Sequence, residues 1–214
     1  HDMKIEKVCQ MVKDSLKWRE ENNLEQIRAN LLEKGWDNPM QFPNGDIIME
    51  NTQLFVAHPD IVDKAGEPVT VEGIIPPTLW EVVSPEDFIT FRLYCLEYVV
   101  LLLDNISDAK EAQNLTNGIS PYGHCQQLLS IRNLAGMSIS QFAGVTKATA
   151  SKLLKLSSDN YPELLKKAVM INAPWVFTTV WAILKLFLAQ RTIDKVSILG
   201  SNYSTVLEEL TDLS

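Results

Sequence analysis

His124 and Cys125 stand side by side, the two residue types from which a nucleophile and its base, or two metal ligands, are commonly assembled. Neighbours on an extended chain point to opposite faces, so the pair predicts a loop-end position with no catalytic role. His58 is the other histidine beyond the first two residues. A glycine-rich phosphate loop, a Gly-x-Ser-x-Gly elbow and a His-Glu-x-x-His helix are all missing. No catalytic residue, metal site or cofactor is therefore expected: the chain reads as a non-enzyme, with a hydrolase-like activity disfavoured. Arg92 and Glu97, five apart on an otherwise apolar stretch, are badly spaced to pair with each other. They predict partners elsewhere, or heads that snorkel to the surface.

The chain that must position such residues has 214 of them, and 46% hydrophobic content is enough for one globular domain whose core needs neither disulfide nor metal. Its 19 basic and 27 acidic side chains leave a net charge of -8, which argues against nucleic acid as a partner because a phosphate backbone requires a positive surface. Cys9, Cys95 and Cys125 are odd in number and widely spaced in apolar or helical contexts, so they predict reduced thiols acting as small hydrophobes in an intracellular chain. On that expectation the acceptor triplets at Asn105, Asn114 and Asn202 carry little weight. His1-Asp2 reads as the remnant of an expression tag, with native sequence starting near Met3 and no secretory leader. The most apolar stretches, Val99 to Leu103 and Val176 to Leu188, are shorter than the ~20 residues a bilayer crossing needs. A soluble, cytoplasmic protein is expected.

Helical spacing runs from Met3 to Asn22, with Ile5, Val8, Cys9, Val12, Leu16 and Trp18 on one side, and again from Leu24 to Glu33 before Gly35. Pro39, Pro43 and Asn44-Gly45 predict a loop, and Asp46 to Ala57 two short strand pieces. Pro68 to Glu72 alternates as a strand does, so the runs flanking the turn at Asp63 to Gly66 predict a hairpin. Ser84-Pro85-Glu86 is a helix start, a serine cap with proline in the first position, for a helix apolar on almost every side to about Asp104. Ile106 to Tyr122 is polar and predicts a mobile loop. Beyond it, strands at Leu128 to Ile131, Ala168 to Ile171 and Val196 to Leu199 alternate with helices at Ser140 to Ser158 and Val176 to Ala189, and a last helix starts near Ser204. That alternation implies parallel pairing with right-handed crossovers, an α/β fold.

Several motifs occur in one order: Asn160-Tyr161-Pro162-Glu163, then Met170-Ile171-Asn172-Ala173-Pro174-Trp175 with Phe177 and Trp181, then Lys185-Leu186-Phe187-Leu188, and Asp194-Lys195-Val196-Ser197-Ile198-Leu199-Gly200. With them the chain resembles the CRAL-TRIO lipid-binding domain family, of the phosphatidylinositol/phosphatidylcholine transfer type. Leu16-Lys17-Trp18-Arg19, Asp63 to Val69 and Leu134-Ala135-Gly136-Met137-Ser138 resemble the family's upstream parts more loosely. The resemblance implies a mixed, largely parallel sheet flooring an apolar cavity, flanked by helices and closed by a mobile gate helix. It implies a truncated N-terminal helical lobe at residues 3–35 and a lipid-binding domain at 36–214, forming one structural unit. It also implies one phospholipid ligand, phosphatidylinositol first, bound and exchanged or presented between membranes. In the phosphatidylinositol-transfer branch the headgroup contacts match Glu163 and Lys195 here, a carboxylate for inositol hydroxyls and an ammonium for phosphate. Separately, each residue has a plain reading, Glu163 favouring a helix start after Pro162 and Lys195 as a solvated strand-end charge.

Departures from the family pattern bear on specificity. Leu164 stands where many phosphoinositide binders have arginine, and Arg132-Asn133-Leu134-Ala135-Gly136 where Asp-Leu-Lys-Gly is common, so that a cation, Arg132, replaces an acid; it predicts a structural ion pair first and a contact to a ligand carboxylate or phosphate second. Ser130 keeps the small hydroxyl of choline-lipid binders, while Leu128 replaces another. Val176 to Leu188 carries Phe177, Val180, Trp181, Leu184 and Phe187 on one stripe, with Val176, Ile183 and Leu186 on a second. Spacing alone leaves a buried core helix and a lipid-facing gate equally open, and the resemblance favours the gate. Residues 139 to 195 hold eight basic and three acidic side chains, net +5 against -13 elsewhere. That asymmetry predicts either transient, peripheral contact between the gate side and an anionic membrane surface, or mutual neutralisation within the fold. A regulatory module of the same fold that recruits an unidentified protein, with lipid structural or absent, is the alternative function.

Overall fold

The computed structural model describes residues 5–117, 127–161 and 163–212. His124, Cys125 and Pro162, singled out above, lie outside them, as do residues 118–122 of the expected loop. Among the described residues five strands form one sheet in chain order: β1 (Leu54–Phe55), β2 (Val69–Glu72), β3 (Leu128–Asn133), β4 (Leu165–Ile171) and β5 (Val196–Ile198). β1 runs antiparallel to β2, with Leu54 opposite Glu72, as the hairpin reading required, and every later pair is parallel. The helices are α1 (Ile5–Glu21), α2 (Leu24–Lys34), α3 (Gly45–Asn51), α4 (Pro85–Thr116), α5 (Gly144–Asn160), α6 (Phe177–Leu184), α7 (Gln190–Ile193) and α8 (Ser204–Leu210). The sheet is mixed but largely parallel and helices flank it, the α/β class expected from the sequence.

Chain-order pairing decides where the helices go. When each parallel strand lies beside the one before it and crossovers keep one hand, all crossovers fall on the same face of the sheet. Side chains alternating along β3 show the two environments: Leu128, Ser130 and Arg132 face the crossover side, while Leu129 and Ile131 face away. On the far face Val69, Leu129, Ile131, Val169 and Ile171 pack against Leu207 and Leu210 of α8. On the near face α4, α5 and α6 stand over the sheet, and α2 backs α4 through Leu24, Ile27 and Leu31.

Five expectations are corrected. The Asp46 to Ala57 stretch is mostly helix, α3, with only Leu54 and Phe55 in a strand. Asn44-Gly45 is a helix start and not part of a loop: Asn44 is left-handed (φ 58), and Gly45 lies so close to Pro39 that a Cβ there would meet its carbonyl oxygen at 2.0 Å. Residues 106–116 of the expected loop continue α4, because no glycine or proline interrupts the chain before Gly118 and Ile106 still packs on the core. The helix expected from Val176 to Ala189 breaks into α6, a 3-10 turn at Lys185–Phe187 and the short α7. The apolar stripe of α1 is not buried: Ile5, Cys9, Val12 and Leu16 are exposed, and Trp18 alone of that stripe packs against the core.

Glu97 does not snorkel. It is completely buried, and it accepts from Arg19 Nη1 at 3.1 Å and from the Tyr161 hydroxyl at 2.7 Å, with Arg28 Nε at 3.7 Å. Burial first and the Glu97 carboxylate second push the Tyr161 hydroxyl far above its ordinary range. Trp18 meets the Tyr161 ring edge-on at 6.0 Å. One carboxylate thereby ties both N-terminal helices and the segment leading into β4 to the middle of α4.

Candidate functional site

A cavity of about 380 Å³ lies between the sheet and the crossover helices, within the span typical of small-molecule sites. Strand alternation supplies its floor: Thr70 and Glu72 from β2, Leu128, Ser130 and Arg132 from β3, Ala168 and Met170 from β4. Phe88, Leu96 and Val99 of α4 and Ala150 and Leu153 of α5 form its walls. Phe177, Trp181 and Leu184 of α6 form a further wall that packs with Ala168 and Met170, and Glu163, Arg191 and Lys195 stand at the cavity rim.

The sequence-derived residues separate into three groups. Glu163 and Lys195 come together, with Nζ 3.1 Å from Oε2 although they are 32 positions apart in the chain. Lys195 also donates to the Leu165 carbonyl at 2.7 Å, which fixes its head at the start of β4. Glu163 begins no helix; it is a non-glycine residue in the left-handed region (φ 61), pinned by Gln127 Nε2 donating to its carbonyl at 2.7 Å. Such a conformation costs on the order of 1 kcal/mol and marks positions that the surroundings hold in place. The hydrogen bond from Lys195, its charge and that of Arg191 keep the Glu163 carboxyl below the usual carboxylate range. Ser130 and Leu128 form the second group, buried floor residues on one face of β3. The α6 residues are the third. Phe177 and Val180 are buried against Leu134, Phe142 and Met170, whereas Trp181 and Leu184 are half-buried cavity walls. Phe187 is exposed and lies outside the lining.

Two contributors were not singled out from the sequence as site residues. Arg191 Nη1 lies 2.8 Å from Glu163 Oε1, so the rim carries two cations around one carboxylate. Its place among the eight basic side chains of residues 139 to 195 was the available signal. Leu164, where an arginine is common in the family, packs with the main core and lines the cavity. The other contributor is Glu72, which ties Arg92 (2.6 Å) to Arg132 (3.0 Å) on the floor. Arg132 thus makes the ion pair expected of it, and Arg92 finds its partner on another element.

Burial opposes ionisation of Glu72, yet Arg132 and Arg92 outweigh it and hold the carboxyl down to about 2. Because the folded value lies below the ordinary 4.5, this group contributes stability above pH 4.5 and loses it as pH falls toward 2. With the side chain only 16% exposed, the contribution is roughly 3 kcal/mol. Urea melts of the wild type and Glu72→Gln should differ most near neutrality and converge across that acid window; a difference independent of pH would refute the assignment. Cys95, also at the cavity, is an inert thiol: burial pushes it up to about 12 despite the nearby Arg92. Among the described residues no group of three or more histidine, cysteine or acidic side chains could hold a metal ion, and no helix is long and apolar enough to cross a membrane.

Comparison with known proteins bears on the family and the fold. The CRAL/TRIO domain profile matches residues 53–214. The Arabidopsis thaliana phosphatidylinositol/phosphatidylcholine transfer protein SFH9 is 28% identical over 214 residues, which cover 98% of this chain and 33% of that protein. The Sec14 cytosolic factor of Schizosaccharomyces pombe is 31% identical over 150 residues, 69% of this chain and 49% of its own. The crystal structure of Sfh5 shares the fold with a TM-score of 0.69 at 18% identity, over 99% of this chain and 66% of that one. This chain therefore spans about a third of the length of the plant relative and about half that of the fission-yeast one.

Proposed function

The chain belongs to the CRAL/TRIO domain family, and from that premise we propose that it binds a single phospholipid in the cavity and exchanges or presents it between membranes, with phosphatidylinositol as the preferred ligand. The observation that carries this reading is the Glu163, Lys195 and Arg191 cluster at the rim of a cavity whose walls are apolar. Two cations around one acid leave a positive charge for a headgroup phosphate, and the carboxylate is an acceptor for inositol hydroxyls. Acyl chains then lie along the floor between α4, α5 and α6, a binding role that involves no covalent chemistry.

Under this reading α6 is the gate. Its neighbours Trp175 and Leu186 are 82% and 76% exposed, an apolar surface beside Lys185 and Arg191 that suits transient contact with an anionic bilayer. The test is transfer between vesicles. Glu163→Ala with Lys195→Ala should abolish phosphatidylinositol transfer and spare phosphatidylcholine transfer, while circular dichroism stays unchanged. Equal loss of both activities, or loss of neither, would sink the headgroup assignment. A stoichiometric phospholipid in native mass spectra of the purified protein supports the cavity reading, and an empty, stable protein supports the regulatory alternative.

A further inference from the structure

The floor holds a second charged group at the opposite end of the sheet from the rim. Thr70 pairs with Ser130 and Glu72 with Arg132 across β2 and β3, two residues apart and therefore on the same face, and all four line the cavity. Arg92 reaches the same spot from α4. Lys195 precedes β5 and Glu163 precedes β4; the Lys195 head, which holds Glu163, reaches the carbonyl of Leu165, the residue paired with Leu128, whereas Arg132 is four residues further along. At about 3.3 Å per residue the two groups are about 13 Å apart along the floor.

The inner group carries an excess positive charge. Both oxygens of Glu72 are engaged, Oε1 by Arg92 and Oε2 by Arg132, so two guanidinium groups share one carboxylate. Arg132 remains 39% exposed at the cavity with most of its donors unused. Ser130 and Thr70 are only 6% and 7% exposed, and their hydroxyl oxygens keep access to the cavity, since the buried side-chain oxygen without a partner among the described residues is Glu67 Oε2; no hydrogen bond among those residues engages either hydroxyl. A positive charge and two unpaired hydroxyls on the floor of an apolar chamber call for an anion that accepts hydrogen bonds. A phosphocholine brings its own cation into a group that, with two guanidinium groups and one carboxylate, already carries net positive charge. A planar monoanion fits the guanidinium fork.

We infer that Arg132, Arg92, Ser130 and Thr70 form a carboxylate site, taking the head of a free fatty acid whose chain lies along the apolar floor. This rests on the reading of the cavity as a lipid chamber, and it gives that chamber a second class of ligand with the opposite orientation.

Displacement of bound Nile red, a neutral dye, from the whole chain tests it with oleate and with oleyl alcohol as its uncharged counterpart. Wild-type protein should release the dye at oleate concentrations about tenfold below those of the alcohol. Arg132→Gln should bring the ratio to about one, the ratio being taken within each variant so that a change common to both probes cancels. Ser130→Ala, which keeps both guanidinium groups, should lower the preference about threefold. An oleate preference that survives Arg132→Gln, or lysophosphatidylcholine displacing the dye better than oleate does, would overturn the carboxylate site. Phosphatidylinositol transfer measured on the same samples separates the two readings. Intact transfer without oleate preference removes this inference alone, and an Arg132-dependent oleate preference without transfer removes the transfer reading alone.

Discussion

Replacing Glu97 by leucine should lower the unfolding free energy by about 3 kcal/mol or more, one of the largest single-residue effects in the chain. The carboxylate is completely buried and faces two arginines and a tyrosine hydroxyl. Removing one partner of a buried ion pair costs about 3–5 kcal/mol, because the remaining charges keep their desolvation penalty without its compensation. The lower end applies, since Arg19 and Arg28 retain partial exposure and regain some hydration. Tyr161→Phe should cost less, about 1 kcal/mol, as it deletes one hydrogen bond and leaves both arginines paired. Urea denaturation followed by far-ultraviolet circular dichroism and by tryptophan fluorescence measures both. Trp18 belongs to the N-terminal helices and Trp181 to α6, so coincident transitions are the expected result if residues 3–35 and 36–214 fold as one unit. Wild-type stability in Glu97→Leu would mean that the three partners find water, contrary to their burial.

Legibility in the sequence followed the scale of the cause. The parallel strands were readable because β-branched and aliphatic residues alternate with helical spacing, and that pattern is local. Helix α3 was misread because Ile47 and Ile48 look alike in either state, and what decides the matter is Gly45 pressed against the Pro39 carbonyl, a tertiary contact. The extension of α4 to Thr116 was misread for a different reason: polar composition was weighed over the absence of any helix breaker. At the site, Glu163 and Lys195 were found through family motifs, since nothing in their own spacing brings residues 32 apart to 3.1 Å. Arg191 belongs to no quoted motif and was passed over. Arg92 and Glu97 were rightly separated from each other by spacing, but their partners Glu72, Arg19 and Arg28 required the register of β2 and the docking of α1 and α2.

The two aromatic residues of α6 should respond differently to truncation, and the contrast tests the gate. Phe177 is 2% exposed, in a cluster with Leu134, Phe142, Met170 and Val180, so Phe177→Ala leaves a hole against the sheet and should cost about 3–5 kcal/mol. Trp181 stacks on that ring at 6.3 Å and 25° but is half-buried and lines the cavity. Its indole therefore touches whatever the cavity holds. Under the proposed function, Trp181→Ala should leave a folded protein that transfers phospholipid several-fold more slowly, because one wall contact to the proposed ligand is gone. A double variant inherits the Phe177 cost and reads out stability before it reads out transfer. The segment that makes the wall also carries exposed Trp175 and Leu186 beside Lys185 and Arg191. Wild-type binding to anionic liposomes should accordingly weaken as salt rises, since surface charge is screened within about 8 Å at physiological ionic strength. If Trp181→Ala unfolds the chain as Phe177→Ala does, and the parent shows no salt-dependent liposome binding, α6 is an ordinary core helix and another element must admit the lipid.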